Sequence, residues 1–115
     1  MSAAPAMVSD MLVTVKSREV QRAMLAEMRG NRHEAAKHFL AAAHLELVLA
    51  DDYAQASQPE LALRSRISAA SCFWSAGEPD RTRPLFDELR QFYPGHADAV
   101  RQAVGELEKN YPVQR

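Results

Sequence analysis

Gly30 and Gly77 stand 47 residues apart, each closing a helical run, and the segments that follow them are alike. A glycine at that place takes the left-handed conformation without steric cost and so ends a helix. After Gly30 the chain reads NRHEAAKHFLAAA, and after Gly77 it reads EPDRTRPLFDELR. In both, an aromatic residue (Phe39, Phe86) comes nine residues beyond the glycine. A small residue (Ala35, Thr82) precedes the aromatic by four, and an apolar one (Ala42, Leu89) follows it by three. A chain with this echo is built from helical hairpins, and a single hairpin cannot bury its apolar side alone.

The punctuation between these points assigns the helices. Residues 1–8 read as a flexible tail, with Ser9 or Asp10 capping a first helix that stops at Gly30. Asn31 caps a second helix, and Glu34 completes an N-x-x-E capping box. That helix extends to about Gln55. Ser57 is the expected cap of a third helix, with Pro59 in its first turn and Glu60 at the reciprocal position. The third helix reaches Ala76. A fourth runs from about Asp80 through Tyr93, with Pro84 tolerable only near its start. Pro94 and Gly95 break the chain before a fifth helix that reaches about Asn110. Period-two alternation is too weak anywhere to claim a strand.

The apolar positions agree with this division. Leu85, Phe86, Leu89, Phe92 and Tyr93 share one side of the fourth helix, and Val100, Ala103, Val104, Leu107 and Tyr111 one side of the fifth. The second and third helices are apolar on two sides, as helices with two neighbours must be. An all-α array of antiparallel helical hairpins follows, in one domain, as a length of 115 residues leads one to expect.

Ala35 and Phe39 then carry a resemblance to the tetratricopeptide repeat family, whose second helix holds an A-x3-F…P signature. The second unit adds Pro94, eight residues after Phe86. Where the family favours W-x2-L-G-x2-Y in its first helix, this chain offers Glu19, Arg22, Ala23 and Ala26, then Arg66, Ala69, Ala70 and Phe73. Only Ala23, Ala70 and Phe73 fit. The period departs from the family's roughly 34 residues, which a second helix longer by about three turns would explain. The resemblance spans residues 16–110. It implies a TPR-like right-handed array of about five helices in a single domain, 9–111, with hairpins 10–56 and 58–93 and a capping helix 96–110. It also implies that the first helix of each hairpin lines a peptide-holding groove. Transferred position by position, that groove comprises Val20, Met24, Glu27 and Met28; then Arg64, Ile67, Ser71, Trp74 and Ser75; then Arg101, with a core position the favoured alternative for Trp74.

Chemistry beyond binding finds little support. His33, Glu34 and His38 come close to the H-E-x-x-H pattern of zinc proteases, but the two histidines are five apart. On a regular helix they point about 140° from each other and cannot share an ion. Glu34 and His38 have the spacing of a surface pair, which leaves the histidines as passengers on the hairpin. No metal, cofactor or catalytic set is therefore expected, and RGNR and AGEPD each hold one glycine where a phosphate loop needs several. With 14 basic and 15 acidic residues the chain lacks the basic surplus of a nucleic-acid binder. A helix-turn-helix at residues 26–39 would place Arg29 and Asn31 where apolar residues belong. Cys72 stands alone in an apolar run and reads as a buried thiol. The first fifteen residues lack the charged start and apolar core of a secretion signal, and no window suits a membrane span, so a cytoplasmic location is expected.

These readings converge on a non-catalytic module that binds a peptide segment, a partner protein or a second copy of itself. Neither nucleic acid nor membrane is the expected partner. Val13, Val20, Met24 and Met28 form an apolar stripe on the first helix, and methionine, tryptophan and arginine suit adaptable interfaces. A regulatory adaptor in transcription or secretion would use the same groove.

Overall fold

A computed structural model of the chain describes residues 4–110. Its helices are α1 (Ala4–Met28), α2 (Arg32–Gln55), α3 (Pro59–Ser75), α4 (Pro79–Phe92) and α5 (Ala97–Asn110), with a 3-10 turn at Pro94–His96 before the last. The fold is all-α, and no strand occurs among the described residues. The first helix corrects an expectation. It reaches back to Ala4, so most of the supposed tail is helical, and Pro5 is compatible with a first turn.

Three of the connections share one turn. Asn31 N–H donates to the Ala26 carbonyl and Gly30 N–H to that of Glu27, both at 2.9 Å. The same crossed pair recurs as Gln58 to Tyr53 with Ser57 to Ala54, and as Glu78 to Phe73 with Gly77 to Trp74. This Schellman arrangement satisfies the last carbonyls of a helix and demands a left-handed residue. Gly30, Ser57 and Gly77 supply it, with φ of 76°, 59° and 83°. Ser57 is therefore the terminating residue of α2, not the cap of α3. Gln58 holds the cap position and makes no side-chain cap bond. The capping box at Asn31 is half formed for a related reason. Asn31 Oδ1 accepts from Glu34 N–H at 3.1 Å, but its own N–H is already committed to Ala26. Glu34 turns to His38 and Lys37 instead.

Along the chain each of α1 to α4 packs on the next, and α5 folds back onto both α3 and α4. The molecule is a slab of 48 × 30 × 17 Å. Its larger side chains concentrate at one end, where Leu63, Trp74, Phe86, Leu89, Val100 and Leu107 form a core completed by Ile67, Leu85, Tyr93 and Val104. The other end is lined mostly by small residues. Ala23, Ala26 and Ala35 surround Phe39, with Cys72 of α3 and Ala76 just beyond it against them. Residues 47 apart share their burial: Ala23 with Ala70, Ala26 with Phe73, Ala35 with Thr82, Phe39 with Phe86, and Ala42 with Leu89 are all buried. Thr82 can replace alanine because its hydroxyl donates to the Ala70 carbonyl at 3.1 Å, leaving no buried donor unpaired. Pro84 lies within α4, where its missing N–H leaves the Asp80 carbonyl without its helical partner.

Candidate interaction face

The residues expected to share a groove take different settings in the fold. Among the described residues α1 packs along α2 and nears α3 at Cys72, which lies against the cluster of Ala23, Ala26, Ala35 and Phe39. Trp74 is only 7% exposed and belongs to the core with Phe86 and Val100, while Ile67 packs against that core. α3 has apolar residues on two sides, and the bulkier side went to α4 and α5. Arg83 lies over the Trp74 ring, 5.8 Å from its centre. Ser71 donates to the Ile67 carbonyl at 2.9 Å. Arg64 is exposed, and Arg101 is exposed beside Asp98 at 3.3 Å. Of the ten, Met24 and Met28 are the large apolar side chains presented outward.

A different row on α1 stands out. Val8, Met11, Val15, Arg18, Arg22 and Leu25 follow spacings of three, four, three, four and three, which keeps them on one stripe of a helix. All six are exposed, Met11 at 65%, Val15 at 42% and Leu25 at 49%. The parallel row Leu12, Lys16, Glu19, Ala23 and Ala26 has the same spacing and faces α2. The spacing of both rows is readable in the sequence, and among the described residues α2 covers the second.

Two polar clasps fix the register of α1 on α2. At one, His38 Nδ1 lies 2.6 Å from Glu19 Oε2, and its Nε2 lies 3.1 Å from Glu34 Oε1. Arg22 also reaches Glu19, at 2.9 Å. The hydrogen bond from His38 holds the Glu19 carboxyl below its ordinary range, and Lys37 does the same for Glu34. His38 is thus an interhelical link and no passenger. At the other clasp Lys16 stands 3.9 Å from Glu46, which is 5% exposed. Burial pushes the Glu46 carboxyl up, against the opposing pull of Lys16 and of hydrogen bonds from Ser68 and Ser65. Cys72 lies close enough to feel it, and burial together with Glu46 raises that thiol to about 11. These pairings bring Val48, an exposed α2 residue, level with the Met11–Val15 turn. Ala41 and Leu45 share its row with His38, so the row borders α1.

Elsewhere a cavity of 380 Å³ is lined by Arg66, Glu88, Leu89 and Tyr93. Arg66 sits 3.8 Å from Asp51, and its Nε is buried without a hydrogen-bond partner. Among the described residues no group of three or more His, Cys, Asp or Glu side chains is placed to hold a metal ion. No described helix is long and apolar enough to cross a membrane. No protein-family model matches the chain, nor does any curated protein or solved structure.

Proposed function

We propose that this chain is a non-catalytic helical module that binds another protein across the face formed by α1 and the adjoining edge of α2. The observation that carries the reading is the Val8–Leu25 row: a stripe at heptad spacing with exposed apolar residues and no described helix against it. Helix-in-groove recognition uses anchors at this spacing, and exposed Met11 suits a surface that adapts to its partner. α5 ends the array with a polar outer face, so the two ends differ in the way a capped and an uncapped end differ. A TPR-like ancestry fits the 47-residue echo, although the binding surface then lies outside the family's groove.

The test uses a photo-activated benzophenone side chain in place of Met11 or Leu25, with Arg101 and Glu106 on α5 as controls, in the native cell. Crosslinked protein should concentrate at the two α1 positions. Equal labelling from α5, or none from α1, would sink the reading.

A further inference from the structure

We infer that the partner seated on the α1 row is a second copy of this chain, docked antiparallel so that residue i of one α1 faces residue 33 − i of the other. This rests on the binding face just proposed and names its occupant.

The row maps onto itself in that register. Val8 meets Leu25 of the second copy, Met11 meets Arg22, and Val15 meets Arg18, which is the a-to-d pairing of an antiparallel helix pair. No arginine stands directly opposite another. A parallel pair would instead stack Arg18 on Arg18 and Arg22 on Arg22. Arg22 is already neutralised by Glu19 at 2.9 Å, and the stems of both arginines can lie along apolar neighbours with their heads in water.

Head-to-tail assembly lacks a receiving surface. Among the described residues the exposed large apolar side chains lie on α1 and α2, whereas α5 presents Asp98, Arg101, Gln102, Glu106, Glu108 and Lys109. Self-association is therefore isologous, α1 on α1, and closes at two copies. From Val8 to Leu25 the row is about 27 Å long, and with the α2 edge about 20 Å wide, so roughly 540 Å² per copy is covered. The total of about 1,100 Å² sits at the lower edge of specific interfaces, consistent with a dimer that exchanges. Two Arg18 side chains offset by about 4.5 Å along the axis weaken it further and make it stronger in salt, where their repulsion is screened.

Sedimentation velocity on the full chain, from about 1 to about 300 micromolar, should show a monomer–dimer equilibrium that tightens with added salt. Leu25→Asp should raise the dissociation constant at least tenfold without changing the thermal midpoint of the monomer. Register is read by mixing two variants, Val8→Cys and Leu25→Cys, under mild oxidation. The mixed disulfide should outpace either self-pair, with Cys72 inert in both. A monomer throughout, a dimer indifferent to Leu25→Asp, or dominant self-pairs would each overturn the inference. If the chain stays monomeric while Met11 and Leu25 positions crosslink a different protein, the face stands and the second copy falls. If they crosslink nothing, both fall.

Discussion

Ser57 offers a test of the turn geometry in which the sequence and the structure disagree on direction. Read as a helix cap, Ser57 contributes a side-chain bond to α3, and Ser57→Ala should cost about 0.5–2 kcal/mol. Read from the structure, Ser57 holds φ of 59° at the end of α2 and caps nothing. A residue with a Cβ spends about 1–2 kcal/mol in that conformation, and glycine returns roughly 0.4–1 kcal/mol of that through the entropy of its unfolded chain. Ser57→Gly should then stabilise by about 0.5–1 kcal/mol, and Ser57→Ala should change stability by less than about 0.5 kcal/mol. The same sum run backwards predicts that Gly30→Ala and Gly77→Ala each cost about 1 kcal/mol. Neither glycine would bring an added Cβ within 4 Å of another atom, so that cost is conformational and free of clashes. In a domain of this size about 1 kcal/mol moves the thermal midpoint by roughly 3–6 °C, which helical circular dichroism resolves easily. Loss of stability in Ser57→Gly, or neutrality in both glycine variants, would refute the shared-turn reading.

Other perturbations follow from the core and the clasps. Trp74→Ala should cost about 3–5 kcal/mol, whereas Met24→Ala, at 55% exposure, should stay within about 0.5 kcal/mol; urea titration separates them. The pH dependence has two limbs. Glu46 is raised above its ordinary 4.5, so the native state binds that proton more tightly and stability falls as pH rises above 4.5. Glu46→Gln should therefore be more stable than the wild type at pH 7–8, with the gain vanishing below about pH 4.5. Glu19 is lowered from 4.5, so its contribution is present above that value and is lost as pH falls through the depressed one. Glu19→Gln should flatten the acid limb. Chemical denaturation at several pH values checks both, and a Glu46→Gln variant weaker at pH 8 than the wild type would reverse the sign argued here.

The helix boundaries were legible because local chemistry decides them. Gly30, Gly77, Pro59 and the Pro94–Gly95 break each act through their own backbone, and α2 ends at Gln55 as read. The echo between the units was legible as well, since Ala35 and Phe39 bury as Thr82 and Phe86 do. What escaped depends on how helices turn toward one another. Trp74 and Ile67 could face a groove or a core, and α3 carries enough apolar surface for either. His38 gained its role from Glu19, nineteen residues away. Ser57 escaped because serine is a common cap and an uncommon left-handed residue, so composition argued against the conformation it adopts.

The unequal ends of the slab connect these observations to function. α3, α4 and α5 are locked by large side chains, each worth about 1.5–3 kcal/mol when fully buried. α1 meets α2 chiefly through Ala23 and Ala26, where a buried methyl contributes about 0.8 kcal/mol. Its other inward residues are Leu12, Lys16 and Glu19, of which the last two set register through ion pairs more than they add burial. α1 is thus held by one helical neighbour among the described residues, and it is also the one with an exposed apolar row. A partner on that row would add burial to a helix packed on one side. Binding there and stabilisation of the α1–α2 hairpin are consequently the same free energy, counted from two sides.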